Sequence, residues 1–97
     1  MKHILLSTDG LASLYEVPDK IAENLLRYCL DFRKWVHQGP KAKQFRKEGY
    51  YPEEEFINYI NTVVNPNYIY KARFIKTIEN SACEIPEKYK DLPYFNF

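Results

Sequence analysis

The stretch VPDKIAENLLRYCLDFRKWVHQ, residues 17–38, constrains this chain more than any other, because it is the longest periodic run between helix breakers. Advanced by about 100° per residue, Trp35, Tyr28, Ile21, Phe32, Leu25, Val36, Cys29 and Ala22 fall within an arc of roughly 140°. A helix carrying that stripe has a face to bury. Pro18 suits its first turn, where a missing amide proton costs nothing. Gly39-Pro40 ends it, since proline disfavours a helical residue before it and donates no backbone bond.

A second stripe lies in EEEFINYINTVVN, residues 53–65. Pro52 and the acids Glu53, Glu54 and Glu55 occupy the first turn, where the helix dipole favours negative charge. Tyr59, Val63, Phe56, Ile60, Val64 and Ile57 then cover an arc of about 160°. Docking Ile21, Leu25, Phe32 and Val36 against Phe56, Ile60 and Val63 hides both faces at once. Between the two helices, PKAKQFRKEG (residues 40–49) reads as a short basic helix whose Phe45 docks on the first.

The remaining segments read as strands. His3 to Leu6 and Leu11 to Val17 flank Thr8-Asp9-Gly10, a turn in which Gly10 can take positive φ, and pair as a β-hairpin. Ser13-x-x-Glu16 resembles a capping box, but a helix there would hold Pro18 in its interior. Asn65-Pro66-Asn67 stops the second helix. In YIYKARFIKTIEN, Phe74, Ile75, Thr77 and Ile78 favour a strand, while the spacing of Tyr68, Ala72, Ile75 and Glu79 also suits a helix. These propensities predict a strand over 72–78 that joins the hairpin. Residues 86–89 form one helical turn. The expected fold is α+β: two main amphipathic helices and a short basic helix packed with a small antiparallel sheet, in a single domain spanning 1–97.

At 97 residues, folding hides only around two-thirds of the unfolded surface. The composition, 45% hydrophobic and 28% charged, argues against disorder. Nine Tyr, six Phe and one Trp exceed what so thin a core needs, and tyrosine serves equally at a core margin or a binding surface. A net charge of +1 gives no long-range steering toward nucleic acid or membrane. Cys29 and Cys83 form no metal or redox spacing, and Cys29, within the apolar arc, reads as reduced and buried. The opening residues hold the apolar run Ile4-Leu5-Leu6, too short for a signal peptide or spanning helix. A soluble cytoplasmic protein is expected.

No polar spacing matches a known chemistry. Consecutive Glu53, Glu54 and Glu55 point in different directions on a helix and do not converge on a metal. His3 and His37 lack a His or Cys at ligand spacing. There is no Gly-rich phosphate loop, and Ser7, Ser13 and Ser81 sit in no nucleophile elbow. No cofactor and no catalytic residue are expected. The basic run Arg33, Lys34, Lys41, Lys43, Arg46 and Lys47, interleaved with Trp35 and Phe45, could grip a phosphate backbone. Trp35 belongs to the apolar arc, however, so the stacking partner points inward. The closing Tyr94, Phe95 and Phe97 read either as a presented motif or as side chains docked in the core, and docking removes an exposed patch.

LYEVP, the helix holding Tyr28-Cys29 and Trp35, Glu55-Phe56-Ile57-x-Tyr59 and the Pro-Tyr-Phe-Asn-Phe ending together resemble a group of small uncharacterised bacterial proteins. The resemblance spans most of the chain, concerns fold rather than chemistry, and implies no site. The functional expectation is therefore a non-catalytic protein-binding module, of inhibitor or immunity type, using Leu26, Leu30, Tyr50, Tyr51 and Tyr68. Self-association through the same aromatics is the related possibility. The alternative is a nucleic-acid-binding accessory domain using the basic run, and no membrane partner is expected.

Overall fold

The computed structural model of the protein describes residues 1–8, 10–38, 52–79, 81 and 84–97. Strands β1 (Lys2–Thr8) and β2 (Leu11–Val17) form the expected hairpin, in register from Lys2 opposite Val17 to Thr8 opposite Leu11. Gly10 closes it at φ 114°, a conformation that only glycine takes without strain. Buried residues run consecutively along both strands, Ile4 to Ser7 and Ala12 to Tyr15. A strand with one wet face alternates, so this pair is covered on both sides.

The 17–38 stretch is two helices rather than one. Helix α1 (Asp19–Glu23) follows Pro18, which stands just before the first turn, and α2 (Leu25–Gln38) begins after Asn24. Asn24 makes the break by competing with the ladder. Its side-chain amide donates to the Lys20 carbonyl at 3.1 Å, and its own N–H is left with Ile21 O at 3.3 Å. The apolar stripe survives the break: Ile21, Ala22, Leu25, Cys29, Phe32 and Val36 are all buried.

Helix α3 (Pro52–Tyr59) continues into a π-helical turn, Ile60–Val64, closed by Asn65 N–H donating to Ile60 O at 2.9 Å. That wider turn shifts the helical period. Val63, expected in the core, is consequently exposed, while Phe56 and Ile60 are fully buried. The short basic helix expected over 40–49 lies outside the described residues.

Strand β3 (Arg73–Thr77), the ambiguous segment resolved as a strand, pairs antiparallel with β2, with a bulge between its Phe74 and Lys76 pairings. The sheet is mixed, not purely antiparallel as expected, because β4 (Tyr94–Asn96) runs parallel to β1. The strand order is β3-β2-β1-β4. The fold class is α+β, as the sequence implies.

One sheet face carries Ile4, Leu6, Tyr15 and Val17 against the helices, with Phe32, Phe56, Tyr59 and Phe97 in mutual ring contact at 5.3–6.0 Å. Phe95 and Phe97 thus dock on the core, while Tyr94 stays exposed. The other face carries Leu5, Leu14 and Ile78 beneath Ile85, Tyr89 and Leu92. The last three come from the chain around a 3₁₀ turn, Glu87–Tyr89, at the expected single helical turn. No helix among the described residues is long and apolar enough to cross a membrane.

Candidate functional site

Two features stand out: a pinned loop and a buried carboxylate.

The loop, residues 65–72, connects the π-helical turn to β3. Its backbone is fastened at both ends by side chains. Asn61 imitates a strand neighbour: its Nδ2 donates to Ala72 O at 2.9 Å and its Oδ1 accepts from Ala72 N at 2.8 Å. The Lys71 ammonium donates to the carbonyls of Asn61, Asn65 and Pro66 at 3.4, 3.4 and 3.0 Å. It thereby satisfies carbonyls that the helix end leaves without partners. Tyr68 N–H also donates to Asn65 O at 3.2 Å.

Held this way, the loop turns Tyr68, Ile69 and Tyr70 outward at 44%, 79% and 59% exposure. The two tyrosine rings meet edge to face at 5.9 Å. Of the partner-binding residues proposed from sequence, Tyr68 belongs here. Leu26 and Leu30, 61% and 44% exposed, form a separate i,i+4 pair on α2, and Tyr50 and Tyr51 lie outside the described residues. Ile69 and Tyr70 escaped the sequence reading. The available signal was Asn-Pro-Asn leading into three large side chains and then a lysine.

Of the nucleic-acid residues proposed from sequence, Arg33 and Lys34 lie among the described residues. Arg33 and Lys34 are exposed on α2, but the Arg33 guanidinium sits over the Phe95 ring at 5.1 Å. Trp35 is half-buried against Tyr59 at 5.3 Å. Lys41, Lys43, Arg46 and Lys47 lie outside the described residues.

The buried carboxylate belongs to Glu53, only 9% exposed in the first turn of α3. Tyr15 on β2 donates its phenol hydrogen to Glu53 Oε1 at 3.3 Å. Burial, then the Glu53 charge, hold the Tyr15 phenol far above its ordinary range, so it stays a donor. Burial likewise raises the Glu53 carboxyl, the Tyr15 bond opposes this, and the neighbouring Glu54 charge adds to the rise. The Ser13 and Thr8 hydroxyls stand near enough to favour the charged form, yet no well-formed hydrogen bond reaches Glu53 Oε2 or Thr8 Oγ1.

Cys29 is free and buried, its thiol pushed up to about 12 chiefly by that burial. A thiol so protonated is a poor nucleophile at neutral pH. Among the described residues, no three His, Cys, Asp or Glu side chains converge to hold a metal. Comparison of the chain with protein-family models, with curated proteins and with solved structures returns no match.

Proposed function

We propose that the protein is a non-catalytic recognition domain that binds a protein partner through the loop carrying Tyr68, Ile69 and Tyr70. The observation that carries this reading is the combination of exposure with fixed backbone. A large apolar side chain on a mobile loop must be ordered when it binds, at a cost of about 0.5–1.5 kcal/mol per immobilised side chain, with the ordering of the loop itself added to that. Here Asn61 and Lys71 fix the loop backbone beforehand. Aromatic anchors on a rigid frame are what interface hot spots use.

The occupant this fits is a partner with an apolar cleft that receives Ile69 beside the paired tyrosine rings. A small rigid domain inserting such a loop acts by occlusion, which agrees with an inhibitor- or immunity-type role in the cytoplasm. The nucleic-acid reading draws less support, since Arg33 is engaged with Phe95 and Trp35 with Tyr59.

A photocrosslinking residue at position 69, introduced into the full chain in its native host, tests the reading. The expected product is a discrete adduct with a different protein. That protein, purified, should bind the parent domain at least tenfold, or about 1.4 kcal/mol, more tightly than Ile69→Asp. The variant should melt as the parent does. Adducts only between copies of this chain, or equal affinity for Ile69→Asp, contradict it.

A further inference from the structure

A pocket of about 480 Å³ opens between the start of α3 and strands β2 and β3, away from the loop described above. Glu53, Ser13 and Thr77 supply its polar lining, and Tyr15, Phe74 and Ile57 supply its apolar walls, with Glu54 also lining it. Tyr15 and Phe74 meet edge to face at 5.7 Å. A helix start explains an acid at position 53 but not its burial. A carboxylate more than nine-tenths buried, with one oxygen making no hydrogen bond, is a costly arrangement unless something satisfies it.

Several properties narrow what that something is. A cation would balance the Glu53 charge, since no lysine, arginine or histidine among the described residues pairs with Glu53 or Glu54. A metal ion is a poor fit, since no third acidic, histidine or cysteine ligand converges here among the described residues. A guanidinium is also a poor fit. Its planar fork wants both carboxylate oxygens, and Oε1 is already taken by the Tyr15 hydroxyl.

An ammonium group suits the geometry better. It offers three donors in a compact tetrahedron and needs only acceptors. An ammonium needs only one carboxylate oxygen, so it can pair with Glu53 while the Tyr15 hydroxyl keeps Oε1. The hydroxyls of Ser13 and Thr77 complete the acceptors, and the rings of Tyr15 and Phe74 with Ile57 flank an alkyl stem. We propose that this pocket binds a primary ammonium group carried on a short alkyl chain, with Glu53 as its counter-ion.

Titrating the full-length chain with n-butylammonium, followed by amide NMR, tests the proposal. Saturable shifts are expected at Ser13, Tyr15 and Thr77, with affinity at least tenfold weaker in Glu53→Gln. A parallel titration with an Nα-acetyl-lysine methylamide separates the sources of the group. Equal binding supports a lysine side chain of a peptide, whereas binding of butylammonium alone supports a free alkylamine. Phe74→Ala, at an exposed position, keeps the test decisive should Glu53→Gln fail to fold, and is expected to weaken binding severalfold. The proposal is overturned if n-butanol binds as well as butylammonium, if no shift saturates, or if the folded variants bind unchanged.

Discussion

The two faces of the sheet are built on the same hairpin but held by different means. Toward the helices, Ile4, Leu6, Tyr15 and Val17 meet a core in which Phe32, Phe56, Tyr59 and Phe97 lock ring against ring. On the far side the apolar cluster is the smaller one of Leu5, Leu14 and Ile78, beneath a cover that includes a 3₁₀ turn. Polar bonds do more of the fastening there. Ser81 Oγ accepts from Ala12 N at 2.8 Å and donates to Ile78 O at 2.6 Å, while Ser7 Oγ bonds both Tyr94 and Asn96. An interlocked aromatic face does not close over a deletion, whereas a cover of irregular chain can settle into one. The cost of a cavity depends on that capacity to collapse.

Substitutions on the two faces break or sharpen this contrast. The largest effect is expected from Phe56→Ala, a loss of about 4 kcal/mol in denaturant melts, because the Phe32 and Phe97 rings lose their common neighbour. Leu14→Ala on the far face should cost only about 2 kcal/mol, toward the low end for such a deletion. A larger loss for Leu14→Ala than for Phe56→Ala would reverse the ranking of the faces.

The smallest effect concerns the polar corner of the helix-covered face, and its sign is opposite. The Glu53 carboxyl is raised above 4.5, faced by the Tyr15 hydroxyl, Glu54, Ser13 and Thr8. At low pH both folded and unfolded states hold the proton, and no penalty arises. As pH climbs past 4.5 the unfolded chain ionises first, so stability falls until the folded carboxyl also ionises, and the penalty then stays constant. Glu53→Gln should therefore be the more stable protein near pH 7 by about 1 kcal/mol. The advantage should vanish near pH 3. A variant less stable than the parent at pH 7 would show that the charge is well satisfied.

What the sequence disclosed follows the same division. Helix stripes and the hairpin turn are local patterns, and Ile21, Phe32, Phe56, Ile60 and Gly10 could be placed from spacing alone. The strand over 72–78 emerged as Arg73–Thr77. Asn24 was not foreseen, because whether its amide takes the Lys20 carbonyl depends on how the flanking turns are pulled onto the sheet. The parallel β4 escaped because three residues carry no periodicity and their partner lies at the opposite end of the chain. Glu53 at a helix start looked fully accounted for by the dipole. Its hydrogen-bond partner Tyr15 and its pocket neighbour Phe74 arrive from remote strands. The loop was half visible: Tyr68 was chosen for its type, but nothing in the sequence says that Asn61 and Lys71 reach back to pin it.

That pinning is the premise of the recognition role, and backbone relaxation of residues 67–71 by ¹⁵N NMR measures it without a partner in hand. Order parameters near 0.85, about those of rigid backbone, are expected in the parent chain, falling below about 0.6 in Asn61→Ala. Values already below about 0.6 in the parent would mean that Ile69 is carried on a mobile loop, and the preorganised surface would not exist.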